Sequence, residues 1–139
     1  MKKNSIKKAF TLIELMVVIT IIGLLASVIG PRLMGNVDKT KIKTTRSQLD
    51  NFATSLDMFN LDTGRYPTEN EGLKVLWVKS KSIRGYDGPY MEKPVEVDAW
   101  GNAYVYKRTS GDHDFNIISY GKDGKEGGKD RDSDISLWD

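Results

Sequence analysis

The chain contains no cysteine, and His113 is the only histidine among its 139 residues. Without cysteine, neither a disulfide framework nor a thiolate-ligated metal site can form. Nucleophilic catalysis lacks its usual groups as well. Ser119 stands in the sequence Ile-Ser-Tyr and not in a nucleophile elbow, and His113 falls in a predicted turn. We therefore expect a protein that is not an enzyme.

An excess of positive charge is also missing once the first nine residues are set aside. The whole chain has 21 basic and 19 acidic residues. Four lysines and no acidic residue precede Phe10, so the rest of the chain has 17 basic residues against 19 acidic ones, a net charge of −2. A second basic cluster, in residues 39–46, is typical of a solvated helix face. The charge distribution therefore predicts no nucleic-acid partner.

A long apolar run follows the basic start of the chain. Residues 10–30 are 21 residues in which Glu14 is the only charge. As a helix this run is roughly 31 Å long, which matches the hydrocarbon core of a bilayer. A carboxylate inside such a segment is costly and indicates a function. The basic residues before the run predict that the N-terminus stays in the cytoplasm and the remainder lies outside.

Three kinds of membrane segment fit this pattern: a secretory signal cleaved after the run, an uncleaved anchor, and a leader cleaved before the run. A cleaved signal needs a pair of small residues at the far end of the run. Residues 26–28, Ala-Ser-Val, match that requirement poorly, and Glu14 also speaks against it. The anchor and the leader cleaved before the run stay open at this point.

Beyond the run, the spacing of apolar residues predicts that the helix continues. Pro31 removes one backbone hydrogen bond, which predicts a kink and not an end. The helix is expected to end at Leu61 or Asp62, since Gly64 suits the position after a helix and Pro67 prevents its resumption. The apolar residues that share one face of this second half are Ile42, Leu49, Phe52, Leu56 and Phe59.

The rest of the chain predicts short elements. Residues 71–78 suit a short helix, and residues 103–108 and 114–118 are rich in aromatic and β-branched residues on either side of a turn at 109–112. A hairpin that covers the amphipathic helix gives an α+β domain. The predicted fold is thus a long helix, apolar in its first half and amphipathic in its second, packed on a small antiparallel sheet.

The acidic end of the chain allows two interpretations. Four glycines occur in residues 121–128, and aspartates alternate at 130, 132 and 134. The apolar residues Ile135, Leu137 and Trp138 follow, which predicts that the loop closes back on the domain. Clustered carboxylates repel one another unless a hard cation such as Ca²⁺ neutralises them. From the residues alone, a solvated acidic tail stays as open as a metal site.

The segment Phe-Thr-Leu-Ile-Glu-Leu-Met-Val-Val at residues 10–18 resembles the processing motif of type IV pilin-like proteins. This resemblance implies that a prepilin peptidase removes residues 1–9 by cutting between Ala9 and Phe10, and that the new N-terminus of Phe10 is methylated. Ala9 stands where the family usually has glycine. Residues 10–30 would then be both a transmembrane helix and a filament-core helix, followed by a globular domain at 31–139.

Further segments are similar to those of the major pseudopilins of type II secretion systems. They are Leu-Met-Gly-Asn after Pro31, residues 57–68 with Glu71-Gly-Leu73, Asp98-Ala-Trp-Gly-Asn-Ala-Tyr104, residues 119–124 and residues 134–138. Ala99 stands where that family usually has proline. The resemblance implies a C-terminal loop that binds Ca²⁺. The implied ligands are the side chains of Asp123, Asp132 and Asp134 and the main-chain oxygens of Tyr120 and Lys125, with Asp130 as a further candidate.

The resemblance also implies a function. The chain would sit in the bacterial inner membrane with its domain in the periplasm, and would polymerise into a pseudopilus that pushes folded proteins to an outer-membrane channel. Its partners would be further copies of itself, minor pseudopilins, the inner-membrane assembly platform and the prepilin peptidase. Glu14 would pair with the N-terminal amine of a neighbouring subunit, and Pro31 would serve assembly. The alternatives are a type IV pilus subunit and an uncleaved membrane-anchored periplasmic binding module.

Overall fold

The structure is a computed structural model that describes residues 9–139. Residues 1–8, which make up most of the predicted leader, lie outside the described residues. The chain divides into two compact units between Val37 and Asp38. The helix α1 and the strands β1, β2 and β3 span Leu12–Thr63, Val105–Arg108, Phe115–Ser119 and Ile135–Ser136, and short 3-10 helices span Leu73–Leu76 and Asp130–Asp132.

The first unit contains the start of α1. The hydroxyl of Thr11 accepts a hydrogen bond from the backbone N–H of Glu14 at 3.2 Å, which is the contact of a helix N-cap and explains why the helix begins at Leu12. The apolar side chains along this stretch are exposed. The helix is long and apolar enough to cross a membrane, and its most apolar stretch has a mean hydropathy of 2.7 with none of it buried. Pro31 lies inside α1 and does not end it, as predicted.

The second unit is built on the apolar face of α1. Phe52, Leu56 and Phe59 are fully buried and Leu49 is nearly so, while Ile42 packs at the edge of the same core. The predicted amphipathic face is therefore confirmed. The helix ends at Thr63, one residue beyond the predicted end, and the next residue, Gly64, adopts a φ of 79°. The N–H of Gly64 donates to the carbonyl of Asn60 at 2.7 Å, which satisfies one of the last carbonyls of the helix.

A three-stranded antiparallel sheet in the order β1-β2-β3 completes this unit. The first two strands form the predicted hairpin, with Val105 opposite Ile118 and Arg108 opposite Phe115. The buried residues of β2 alternate as an amphipathic strand requires, and they are Phe115, Ile117 and Ser119. The third strand was not predicted as a strand. The α+β architecture with one long helix is confirmed.

The helix predicted at residues 71–78 is shorter than expected. Only a 3-10 helix at Leu73–Leu76 forms, because Gly72 at its start has a φ of 58°, outside the helical range, and supplies no side-chain cap. Leu76 is fully buried, and its carbonyl accepts the backbone N–H groups of Tyr90 and Met91 at 2.7 and 2.9 Å. This short element therefore ties the irregular residues 77–104 to the core.

Truncating the core face of α1 tests its importance. We expect Phe59→Ala to lower the free energy of unfolding by about 3–5 kcal/mol, because it removes a fully buried ring and leaves a cavity. Thermal and denaturant unfolding of the detergent-solubilised chain, followed by tryptophan fluorescence, measures the change. Leu61→Ala is the matched control, since Leu61 is 84% exposed on the same helix and its loss should change stability by less than about 0.5 kcal/mol. Equal effects of the two substitutions would contradict the proposed core.

Candidate functional site

The C-terminal loop, defined as residues 120–134, is closed at its base by the sheet. It connects β2 to β3, and the residues on either side of it, Ser119 and Ile135, pair directly across the two strands. Ile135 is buried, and the indole N–H of Trp138 donates to the carbonyl of Phe115 at 2.7 Å. The predicted closure by apolar residues after the loop is therefore confirmed. The acidic residues of this loop do not form a free tail.

Within the loop, the predicted calcium ligands have different surroundings. Asp123 and Asp132 are exposed, and a carboxylate oxygen of Asp123 accepts the backbone N–H of Lys125 at 3.1 Å. Asp134 is half-buried and accepts the backbone N–H of Gly127 at 2.8 Å through Oδ2. Within residues 9–139, no group of three His, Cys, Asp or Glu side chains is arranged to hold a metal ion. The structure thus does not gather the three predicted aspartates into one cluster.

Two features of the loop nevertheless fit a hard cation. Oδ1 of Asp134 is buried and has no hydrogen-bond partner in the described part of the chain. A buried carboxylate oxygen without a partner is costly, and a divalent cation is one group that removes this cost. Two segments of the loop backbone also approach each other closely at its glycines. A side chain at Gly121 would meet the carbonyl oxygen of Ser133 at 2.8 Å, and one at Gly128 would collide with the carbonyl oxygen of Asp132. The donors in this fold are carboxylate and carbonyl oxygens, which Ca²⁺ prefers.

A buried carboxylate that the sequence analysis gave no role holds the entrance to the loop. Asp98 is 5% exposed and accepts the backbone N–H groups of Trp100 and Asn102, each at 2.9 Å. Its other oxygen accepts the hydroxyl of Ser119 at 2.6 Å. Burial, together with the charge of Asp98, raises the pKa of Tyr104 to about 12, so this phenol stays neutral at physiological pH. Asp98 thus connects the turn before β1 to the last residue of β2.

Asn102 extends this network into the loop itself. Its amide donates to the carbonyl of Gly121 at 2.9 Å, and a side chain at Gly124 would meet its Oδ1 at 2.8 Å. The signal that could have found this arrangement is the sequence Asp98-Ala-Trp-Gly, since aspartate commonly binds the backbone two residues ahead in a turn that ends in glycine. What the sequence could not show is that this turn supports a loop about twenty residues further on.

The predicted processing and assembly residues lie in the first unit. Ala9 and Phe10 are exposed, and both precede the first residue of α1. Glu14 lies in the first turn of α1, where a negative charge is favoured by the positive end of the helix dipole. Pro31 lies within the same helix. The structure does not test the processing and assembly roles of Ala9, Phe10, Glu14 and Pro31, which stay predictions.

Comparisons with known proteins give two family matches. The family model described as the prokaryotic N-terminal methylation motif matches residues 4–30. The one described as type II secretion system protein G matches residues 32–138. Together they span both units of the chain.

Curated relatives named type II secretion system core protein G align along nearly the whole chain. The protein from Pseudomonas aeruginosa is 38% identical over 136 residues, with 96% of each chain covered. The one from Vibrio cholerae is 36% identical, with 99% of this chain and 96% of the relative covered. The crystal structure of the major pseudopilin from the type 2 secretion system of enterohaemorrhagic Escherichia coli matches with a TM-score of 0.63 and 34% identity, and covers 78% of this chain and 95% of that one.

An exposed apolar helix behind an N-terminal methylation motif, followed by a small α+β domain, defines the class of pilin-like proteins. Within that class, the family model that matches residues 32–138 is the one for type II secretion system protein G. The chain belongs to the type II secretion system protein G family, the major pseudopilins, and is a structural subunit of a pseudopilus. These matches favour the pseudopilin over the alternatives of a pilus subunit and an anchored binding module.

Removing the carboxylate of Asp98 tests the network beneath the loop. We expect Asp98→Ala to lower the free energy of unfolding by about 3 kcal/mol, because one buried and two partly buried donors lose their acceptor at once. Differential scanning calorimetry of the detergent-solubilised protein measures this change. Asp112→Ala, at an exposed position in the hairpin turn, should change stability by less than about 0.5 kcal/mol. A loss at Asp98 no larger than that at Asp112 would show that the network contributes little.

Proposed function

We propose that residues 10–30 anchor the chain in the bacterial inner membrane and that residues 31–139 form its periplasmic domain. In this proposal the subunit has no enzymatic activity. It leaves the membrane during assembly, and its apolar helix then packs against those of other copies in the filament core. The observation that carries the proposal is the continuous exposure of large apolar side chains along the first part of α1. A surface of this kind requires lipid or other protein around it.

Growth of this filament would push folded proteins toward an outer-membrane channel. The proposed partners are further copies of the chain, minor pseudopilins, the inner-membrane assembly platform and the prepilin peptidase, with no nucleic acid among them. The curated relatives are named as core proteins of a type II secretion system, which supports partners of this kind.

The proposed processing step is cleavage between Ala9 and Phe10, followed by methylation of the new amine. Phe10 is 82% exposed and lies outside the helix, so its backbone is available to an enzyme. The new amine would then lie four residues before Glu14. We propose that Glu14 pairs with the amine of a neighbouring subunit, because pairing offsets the cost of placing each charge in an apolar filament core.

Intact-mass measurement tests the processing step. Protein purified from cells with an active prepilin peptidase should lack residues 1–9 and carry one methyl group on Phe10. Protein from cells without the peptidase is the matched control and should keep the leader. Retention of residues 1–9 in cells with active peptidase would reject the proposed cleavage.

We further propose that the C-terminal loop binds Ca²⁺ through the side chains of Asp123, Asp132 and Asp134 and the main-chain oxygens of Tyr120 and Lys125. Asp130 is a further candidate ligand. The unpartnered Oδ1 of Asp134, the base closed by β2 and β3, and the close backbone at the glycines support this site. When bound, the ion supplies positive charge that offsets the repulsion among the aspartates. In a chain without cysteine it would stabilise the loop in place of a disulfide.

Calcium should raise the melting temperature of the domain. At free calcium one hundred times Kd, the free energy of unfolding should gain about 2.7 kcal/mol, because the ion binds only the folded loop. Asp134→Asn should remove most of this gain. The matched control is Glu126→Gln, an exposed acid of the same loop that is not a proposed ligand, and this variant should keep the gain. Equal melting temperatures of the unmodified chain in excess calcium and in excess chelator would reject the site.

A further inference from the structure

The side chain of Asp38 lies close to two basic residues of the C-terminal loop. Asp38 belongs to α1, and its side chain is only 14% exposed. Its Oδ2 lies 3.8 Å from Nζ of Lys122 and 3.6 Å from a guanidinium nitrogen of Arg131. This same oxygen is buried and accepts no hydrogen bond from any described residue. One helix carboxylate therefore attracts two loop cations by charge alone.

These two cations are neighbours of proposed calcium ligands in sequence. Lys122 precedes Asp123, and Arg131 precedes Asp132. A free ammonium or guanidinium group next to a carboxylate favours ion pairing with it and so competes with a divalent cation for the same oxygens. Among the described residues, neither Asp123 nor Asp132 forms an ion pair with a basic side chain. Of the four basic residues in the loop, Lys122 and Arg131 lie near Asp38 instead.

We propose that Asp38 is a positioning residue for the calcium loop. By attracting Lys122 and Arg131 toward α1, it keeps both cations from pairing with Asp123 and Asp132 and leaves those carboxylates available to the metal ion. This inference rests on the calcium role proposed above. It assigns a function to a helix residue that is not itself a ligand. It also gives a role to two of the four basic residues in this acidic loop.

The low exposure of Asp38 strengthens its attraction for the two cations. Ion pairs between fully solvated groups contribute little, because water and salt screen them. Here the carboxylate is largely buried while the two cations are half-exposed, with 49% and 60% of their side chains accessible. A buried carboxylate oxygen that accepts no hydrogen bond keeps its attraction for cations more fully than a solvated one. The two pairs should therefore weaken at high salt without disappearing.

The test is calcium titration of the detergent-solubilised full chain by isothermal calorimetry. Asp38→Asn should weaken calcium binding by about threefold to tenfold, the range expected when two half-exposed ion pairs are lost and the released cations compete for the ligands. The matched control is Asp50→Asn. Asp50 is an exposed acid of the same helix and makes no ion pair within the described residues, so this change should leave the affinity unaltered.

A rescue experiment separates this role from simple stabilisation of the loop. If Asp38 acts by holding the two cations, removing them in the triple variant Asp38→Asn, Lys122→Gln, Arg131→Gln should restore the calcium affinity. If Asp38 only fixes the loop to the helix, the triple variant should bind as weakly as Asp38→Asn. The double variant Lys122→Gln, Arg131→Gln with Asp38 intact should bind calcium at least as tightly as the unmodified chain, and it tests the same point should Asp38→Asn fail to fold.

The possible failures are distinguishable. An unmodified chain that binds no calcium would reject the calcium role and this inference together. Calcium binding by the unmodified chain with equal affinity in Asp38→Asn would overturn the inference alone. Weaker binding by the double variant would overturn it as well, because the loop cations would then be shown to assist the site and not to compete with it.

Discussion

The burial of one apolar face of α1 is the interaction on which the folded domain depends. Phe52 and Phe59, the two aromatic residues of α1, are fully buried. Phe52 meets Tyr104 edge to face at 5.0 Å, and Phe59 meets Tyr90 at 5.8 Å. Each such pair adds to the free energy of burying the rings. Since Tyr90 and Tyr104 lie in segments with little regular structure, these contacts fix irregular parts of the chain onto the helix. Buried residues of the sheet and of the 3-10 helix Leu73–Leu76 belong to the same core as this face.

The same helix has an exposed apolar part and an amphipathic part with one buried face, and this difference would allow one element to serve the two environments proposed for it. The large apolar side chains between Leu12 and Val37 are exposed, while the residues from Thr45 to Phe59 bury one face in the domain. A helix that keeps its backbone hydrogen bonds internally can pass from lipid to a protein environment without exposing unpaired backbone groups. In the proposed transfer from membrane to filament, only the surroundings of the apolar side chains would change. An all-round apolar first half suits this exchange better than a one-sided face would.

Much of the fold could be predicted from the sequence because its signals are local. The apolar spacing identified the core face of α1, and the β-branched and aromatic runs identified the hairpin. The third strand was missed because Ile135–Ser136 has only two residues and becomes a strand through pairing with β2, more than a dozen residues earlier. The role of Asp98 was missed for a similar reason, since its partner Ser119 lies 21 residues away. The sequence shows which residues of the C-terminal loop are acidic. It does not show how far apart their carboxylates lie in the folded loop, because those distances depend on long-range contacts of this kind.

The way the loop is closed limits what a bound cation could contribute to it. Ser119 and Ile135 already pair at its base, and the Asp98 and Asn102 hydrogen bonds already hold its first residues. A disulfide would act mainly by restricting the conformations of the unfolded chain, whereas a cation would bind the folded loop alone. The charge of a bound cation would therefore have its largest effect on residues 122–134, where the carboxylates have few partners. The base of the loop belongs to the sheet. If the outer part is held by a cation as proposed, ionic conditions should affect its order more than they affect the core beneath it.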